Sequence, residues 1–117
     1  SIHIVDRKKD VIISGGENVS SIEVEDAIFQ HPDVTEVAVI GIPDEKWGEL
    51  VTALVVTTPE SALTEGDVIA WTKQKLAGYK CPKRVEFRTE LARTATGKLQ
   101  KYKLRAPFWE GRERQVN

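Results

Sequence analysis

Two apolar segments, residues 34–40 and 50–57, most constrain what this chain can fold into. Both are rich in β-branched residues and carry almost no charge, which is typical of strands buried within a sheet. Between them stands Gly41-Ile42-Pro43-Asp44, whose glycine and proline predict a turn. We therefore expect two strands of one small sheet, separated by that turn.

Three further segments predict helices that pack against the sheet: residues 20–30, 64–77 and 99–105. The first two each begin with a serine or threonine three residues before an acid, which is the spacing of a capping box. His31-Pro32-Asp33 ends the first helix, and Gly78 ends the second. The predicted buried side of the second helix comprises Val68, Ile69, Trp71 and Leu76.

The remaining segments complete a single domain over residues 1–117, with residues 106–117 as a tail. Residues 2–5 and 11–13 predict a short N-terminal β-hairpin, and residues 85–88 a short strand. Residues 14–18 predict a loop, because adjacent glycines allow backbone conformations closed to other residues. The predicted fold is α+β (α/β), with a small mixed central sheet of about three strands flanked by helices.

The formal net charge of the 117-residue chain is only −1, but the charges are unevenly distributed. Residues 17–67 contain 12 acidic side chains and one basic side chain, whereas residues 80–105 contain nine basic and two acidic ones. A basic block in an otherwise acidic chain favours an anionic ligand, and a solvated basic face is the alternative. The charges alone leave both open, and we expect no nucleic-acid partner.

Composition excludes several classes of protein. With 40% hydrophobic and 30% charged residues, the chain is of the soluble globular type. Apolar runs are at most four residues long, as at 53–56, so we expect no transmembrane segment.

Cys81 is the only cysteine, which excludes an internal disulfide and indicates a reducing, cytoplasmic compartment. His3 and His31 have no second ligand at metal spacing, so we expect no metal site. Methionine is absent, and we expect the chain to be part of a longer protein.

Two loops are candidates for chemistry. Thr94-Ala95-Thr96-Gly97-Lys98 presents one lysine, a long-reach charge suited to neutralising a phosphate or carboxylate. It is not a P-loop, because the upstream glycine and the following Ser or Thr are missing. Ser14-Gly15-Gly16-Glu17-Asn18 carries a glycine pair that lets a backbone approach a ligand closely. Taken alone, each loop is equally consistent with an ordinary surface turn.

Four segments in a fixed order carry a more specific signal: residues 6–19, 41–49, 79–84 and 93–101. Together they resemble the small C-terminal domain of the adenylate-forming enzymes. This family includes acyl-CoA synthetases, peptide-synthetase adenylation domains and firefly-type luciferases. The resemblance covers at least residues 5–105. It is greatest to the fatty-acyl-CoA synthetase branch, whose members commonly carry the Ser-Gly-Gly-Glu-Asn and Trp-Gly-Glu sequences found at 14–18 and 47–49.

The resemblance implies a reaction in two halves. A carboxylate first attacks ATP to give an acyl-adenylate and pyrophosphate, and the CoA thiol then displaces AMP. Lys98 matches the catalytic lysine of the first half, whose charge would bridge the substrate carboxylate and the α-phosphate. Lys9 matches the hinge about which the domain rotates between the halves. Arg7 matches an arginine near the nucleotide.

For the second half the resemblance implies a CoA site on the other face of the domain. Small side chains would line a narrow tunnel for the pantetheine arm, an aromatic would stack near the CoA adenine, and lysines would approach its phosphates. Trp47 has core packing as its alternative role. The implied CoA-binding residues are Ser14, Gly15, Gly16, Glu17, Trp47, Tyr79, Lys80 and Lys83.

Two positions depart from the family pattern. Cys81 stands where relatives often have a basic residue, and Ala92 replaces a proline that usually precedes the Arg-Thr-Ala-Thr-Gly-Lys run. The large N-terminal domain, which in the family holds the acyl pocket, the ATP-phosphate loop and Mg²⁺, is also absent. We therefore expect this chain alone to be inactive and its own N-terminal domain to be its main partner.

Two other functions remain open at this point. One is an adenylation domain that delivers its acyl group to a carrier-protein thiol, which would need no site for the CoA nucleotide. The other is a binding module without a catalytic role. The resemblance favours the first reading above: an acid–thiol ligase acting on a fatty acid, with ATP and CoA as substrates.

Overall fold

The computed structural model describes residues 10–112, which form five strands and three helices. The strands are β1 (Val11–Ser14), β2 (Glu17–Ser20), β3 (Val34–Asp44), β4 (Gly48–Thr57) and β5 (Arg84–Phe87). The helices are α1 (Ser21–Phe29), α2 (Glu65–Lys73) and α3 (Lys101–Trp109), and a single 3₁₀ turn occupies Gly78–Lys80. The predicted α+β class is confirmed.

The long hairpin of β3 and β4 is the centre of the sheet. The two strands pair antiparallel from Val34–Thr57 to Asp44–Gly48. On its other edge β4 pairs antiparallel with β1 at Gly48 and parallel with β5 over Thr52–Val55. β2 pairs only with β1, so the order is β2-β1-β4-β3 with β5 beside β4. The sheet is mixed, as predicted, but it has five strands and not three.

The predicted turn at residues 41–44 is wrong, because β3 continues through it and the chain reverses at residues 45–47. Gly41 is buried, and a Cβ at this position would collide with the Glu49 carboxylate. Glycine here leaves room for the Glu49 and Ile12 side chains and does not reverse the chain.

Residues 14–18 are not an open loop. β1 and β2 form a two-residue hairpin in which Ser14 pairs with Glu17. Gly15 and Gly16 have φ of 59° and 82°, the positive values that such a tight hairpin requires. The other predicted arm of the N-terminal hairpin, residues 2–5, lies outside the described residues.

Local capping signals placed two helices correctly. The Ser20 side chain accepts a hydrogen bond from the Glu23 N–H at 3.2 Å, and Thr64 and Asp67 form a reciprocal capping box. α2 ends at Lys73, before Gly78. α3 begins at Lys101 and runs to Trp109, into the segment predicted as a tail.

The sheet has a hydrophobic core on each face. α1 and α2 cover one face, where Val24, Ile28 and Val68 pack on alternate residues of β3 and β4. α3 covers the other, where Leu104 and the partly buried Phe108 pack on the intervening residues. Burial on both faces explains why β3 and β4 are apolar along nearly their whole length.

Candidate functional site

The segment that carries Lys98 is an ordered turn, which we name the lysine turn (residues 93–99). Arg93 and Leu99 form an antiparallel bridge at its base. Within it the Thr94 N–H donates to the Lys98 carbonyl at 2.8 Å, and the Lys98 N–H donates to Thr94 Oγ1 at 3.1 Å. Gly97 has φ of 90°, which a residue with a Cβ rarely adopts. The backbone around Lys98 is thus held by local hydrogen bonds.

The Lys98 side chain itself is exposed, and within residues 10–112 its ammonium makes no hydrogen bond or ion pair. A flexible side chain on a fixed turn can place its charge against a ligand that approaches from outside. This arrangement suits the role that the sequence predicts for Lys98.

Ion pairs attach the lysine turn to the rest of the domain on both sides. Arg93 pairs with Glu36 of β3 at 2.8 Å. Downstream, Lys101 pairs with Glu25 of α1 at 2.6 Å and donates to Ser21 Oγ at 3.0 Å. Glu25 also accepts a hydrogen bond from the Val39 N–H at 2.8 Å, so this largely buried pair links α3, α1 and the outer edge of β3.

The second predicted site lies where β1 turns into β2, and we name Gly15, Gly16 and Trp47 the glycine corner. The Gly15 N–H donates to the Trp47 carbonyl at 2.8 Å. A Cβ on Gly15 would lie 2.6 Å from Cε3 of the Trp47 ring, whereas a Cβ on Gly16 would meet no atom within 4 Å. The Cε3–Cζ3 edge of the ring therefore lies against Gly15, and Gly16 faces open space.

The backbone at Trp47 is held by hydrogen bonds, and its ring is flanked by cations. The Asp44 carboxylate accepts hydrogen bonds from the backbone N–H groups of Lys46 and Trp47, at 3.0 and 2.8 Å. The Lys83 ammonium lies 4.3 Å and the Lys46 ammonium 5.3 Å from the centre of the ring, within the range of cation–π attraction. Trp47 is half-buried and belongs to neither of the two hydrophobic cores formed by the described residues.

Tyr79 and Lys80 lie in the 3₁₀ turn, next to β2. Tyr79 is exposed, with 46% of its surface accessible. The Lys80 ammonium forms an ion pair with Glu23 of α1 at 3.0 Å, and this hydrogen bond raises the pKa of Lys80 above its ordinary value. Lys80 is thus already engaged within the domain, whereas the Lys83 ammonium rests on an aromatic face.

Three other residues of the same region lie outside the glycine corner. Ser14 is buried, and its hydroxyl has no hydrogen-bond partner among residues 10–112. Glu17 is exposed at the start of β2. Cys81 is buried, with its thiol 3.6 Å from the Ala77 carbonyl, so it presents no group to a phosphate.

The two candidate sites lie at opposite ends of the β3–β4 hairpin. The lysine turn is tied to Glu36 near the start of β3, and Trp47 belongs to the reversal beyond its last residue, Asp44. Asp44 lies eight positions after Glu36 along the extended strand, which corresponds to about 27 Å. The structure therefore brings Gly15, Trp47 and Lys83 together and keeps Lys98 apart from them.

Some predicted residues and groups fall elsewhere. Arg7 and Lys9 lie outside the described residues. Over residues 10–112, no three His, Cys, Asp or Glu side chains are placed to hold a metal ion. None of the helices in that range is long and apolar enough to cross a membrane.

Sequence reasoning missed the residues that hold the two sites in place. Asp44, two and three residues before the N–H groups that it binds, has the spacing of an Asx turn and could have been found. The other residues that hold the sites pair across long stretches of sequence, and no local signal predicts the pairing: Glu25, Glu36, Arg93 and Lys101.

Comparisons with known proteins identify the family of this domain. Residues 23–98 match the family described as AMP-binding enzyme C-terminal domain. The peroxisomal trans-cinnamate:CoA ligase of Petunia hybrida is 50% identical over 104 residues, which cover 89% of this chain and 18% of that protein. The 4-hydroxybutyrate–CoA ligase 2 of Metallosphaera sedula is 55% identical over 104 residues, covering 89% and 19%.

A solved structure described as Mycobacterium tuberculosis fatty acyl CoA synthetase has the same fold. It superposes with a TM-score of 0.80 at 46% identity, covering 85% of this chain and 20% of that chain. The chain therefore spans about a fifth of the length of the relatives that it matches.

Proposed function

The chain belongs to the AMP-binding enzyme C-terminal domain family, and we propose that it is the mobile C-terminal domain of an ATP-dependent acyl-CoA synthetase. The full enzyme joins a carboxylic acid to CoA in two steps. In the first, a carboxylate oxygen attacks the α-phosphorus of ATP, and pyrophosphate leaves. In the second, the CoA thiol loses its proton and attacks the acyl carbon, and AMP leaves.

The separation of the two candidate sites is the observation that carries this proposal. About 27 Å of strand separates the residues to which the two sites are attached, far beyond the reach of a lysine side chain, which supports the presentation of one site at a time to the reacting carbon. Rotation of the domain about Lys9 lets each end serve one step, a known mode of domain movement. Arg7, close to this hinge in sequence, contacts the nucleotide.

In the first step Lys98 supplies its charge. Its ammonium lies between the substrate carboxylate and the α-phosphate, where it holds both in attack geometry and offsets the negative charge of the transition state. The exposed, unpaired state of this ammonium within residues 10–112 supports the role, because no internal ion pair has to be broken first.

In the second step the glycine corner receives CoA. Ser14, Gly15, Gly16 and Glu17 line the path of the pantetheine arm, which is narrow and uncharged. Trp47 stacks on the adenine, and Lys83 approaches a CoA phosphate, with Tyr79 and Lys80 close by. The exposed Trp47 ring with an ammonium 4.3 Å from its centre supports this assignment.

The N-terminal domain of the full enzyme supplies the remaining groups. We assign to it the acyl pocket, the ATP-phosphate loop and the Mg²⁺ site, as the resemblance to the family implies. We propose a fatty acid as the substrate and the cytoplasm as the compartment. The buried, unpaired Cys81 is compatible with reducing conditions.

The direct test uses the parent enzyme with ATP, Mg²⁺, a fatty acid and CoA. We expect pyrophosphate release in the absence of CoA and acyl-CoA formation when CoA is added. Pyrophosphate release with no transfer to CoA, but with transfer to a carrier-protein thiol, would instead identify an adenylation domain. No pyrophosphate release with any carboxylic acid would leave only a binding module.

A further inference from the structure

Arg93, at the base of the lysine turn, joins two parts of the domain that are distant in sequence. Its Nη1 donates to the Gly97 carbonyl at 2.6 Å. On the other side of the guanidinium, Nε and Nη2 both reach Glu36 Oε1 of β3, at 2.9 and 2.8 Å. One rigid, planar group therefore connects β3 to the peptide that immediately precedes Lys98.

That peptide is held on both sides. Arg93 binds the carbonyl of Gly97, and Thr94 Oγ1 accepts the N–H of Lys98. Glycine at 97 permits the φ of 90° but does not by itself hold the backbone in that conformation. The guanidinium fixes one orientation of the Gly97–Lys98 peptide relative to the central sheet.

This matters because the Lys98 ammonium has no anchor of its own among the described residues. The direction in which its side chain leaves the domain is set only by the backbone. A misplacement of about 1 Å at a reacting centre can cost about 100-fold in rate. We propose that Arg93 is a positioning residue for Lys98 and that Glu36 in turn holds Arg93, an inference that rests on the proposed function.

The test is Arg93→Gln in the full-length parent enzyme, with the two steps assayed separately. We expect kcat for pyrophosphate release to fall about 10- to 100-fold, because transition-state stabilisation by Lys98 is lost. The KM values for ATP and the acid should change by no more than about twofold, because a positioning role gives Arg93 no contact with either of them. Conversion of preformed acyl-adenylate and CoA to acyl-CoA should keep its wild-type rate.

Arg88→Gln is a matched control. Arg88 also forms an ion pair, with Glu86 at 2.9 Å, and its side chain is 34% exposed, against 38% for Arg93. The Arg88→Gln variant should have the same thermal midpoint as Arg93→Gln. It should carry out both steps at the wild-type rate. Glu36→Gln should lose less adenylation than Arg93→Gln, because Arg93 still reaches the Gly97 carbonyl.

The possible outcomes are distinct. Adenylation by Arg93→Gln at the rate of Arg88→Gln would overturn the inference. Equal loss in both steps, or a lower thermal midpoint than the control, would assign Arg93 a purely structural role and overturn it as well. Lys98→Ala, run in parallel, separates the two proposals: if it loses adenylation while Arg93→Gln does not, the proposed function stands and the positioning role falls.

Discussion

The lysine turn and the glycine corner are both built on glycines with positive φ, yet different forces hold them. A Cβ on Gly97 would meet no atom within 4 Å, and its turn is fixed by hydrogen bonds and by the Arg93–Glu36 ion pair. A Cβ on Gly15 would lie 2.6 Å from the Trp47 ring, so its turn combines the hydrogen bond from the Gly15 N–H to the Trp47 carbonyl with side-chain packing. The first construction presents a free charge, and the second presents an open turn at Gly16 beside an aromatic ring flanked by two cations.

The stability of the end that carries the lysine turn should be the more sensitive to the loss of one charge. Lys101→Met removes the cation from a pair whose side chains are each only 15% exposed, and leaves Glu25 buried without it. We expect a loss of about 3 kcal/mol in the free energy of unfolding, measured by urea denaturation of this chain.

Lys103→Met is the control for that substitution, because Lys103 is exposed on the same helix. It should change the free energy of unfolding by less than about 0.5 kcal/mol. Equal effects of the two variants would show that the Lys101–Glu25 pair does not hold α3 to the domain.

At the glycine corner, a single added methyl group should lower the free energy of unfolding. Gly15→Ala combines an unfavourable φ with the contact to Trp47, and we expect it to cost about 2 kcal/mol in the free energy of unfolding. Gly97→Ala has the unfavourable φ alone and should cost about 1 kcal/mol. If both cost the same in urea denaturation, the Trp47 ring yields freely and packing does not define the glycine corner.

The smallest expected effect is a pH dependence at the glycine end. The hydrogen bond to Glu23 raises the pKa of Lys80 above 10.5, so the stabilising contribution of Lys80 is complete below that pH. It is lost as the pH rises through the raised pKa of the folded state. Lys80→Met should therefore melt at a slightly lower temperature than the wild type at pH 8, and the difference should vanish in strongly alkaline solution. A difference that persists there would have a cause other than the charge of Lys80.

Much of the fold could be predicted because its signals are local. The Thr64 and Asp67 capping box lies within four residues, and the apolar runs that became β3 and β4 reflect burial on both faces. β2 was missed because its sequence, Glu-Asn-Val-Ser, buries only Val19 and shows no alternation strong enough to mark a strand.

The candidate site divides in the same way. Lys98 and the glycine pair were found from the sequence because each stands in a short motif. The groups that hold them were not, because Arg93 and Glu36 are 57 residues apart and meet only after the sheet has formed. The Gly41 segment shows the opposite error: a glycine next to a proline-containing run looked like a turn, but its small size serves strand packing.

The central claim is that the two ends of the β3–β4 hairpin serve different steps, and one crossed measurement tests it. In the parent enzyme, Lys98→Ala and Gly16→Leu are each assayed for pyrophosphate release and for conversion of preformed acyl-adenylate and CoA. We predict that Lys98→Ala loses about 100-fold or more in the first step only. Gly16→Leu, whose side chain would enter the open space beside Gly15, should lose at least about tenfold in the second step only. Loss of the same step in both variants would contradict the division of labour between the two ends.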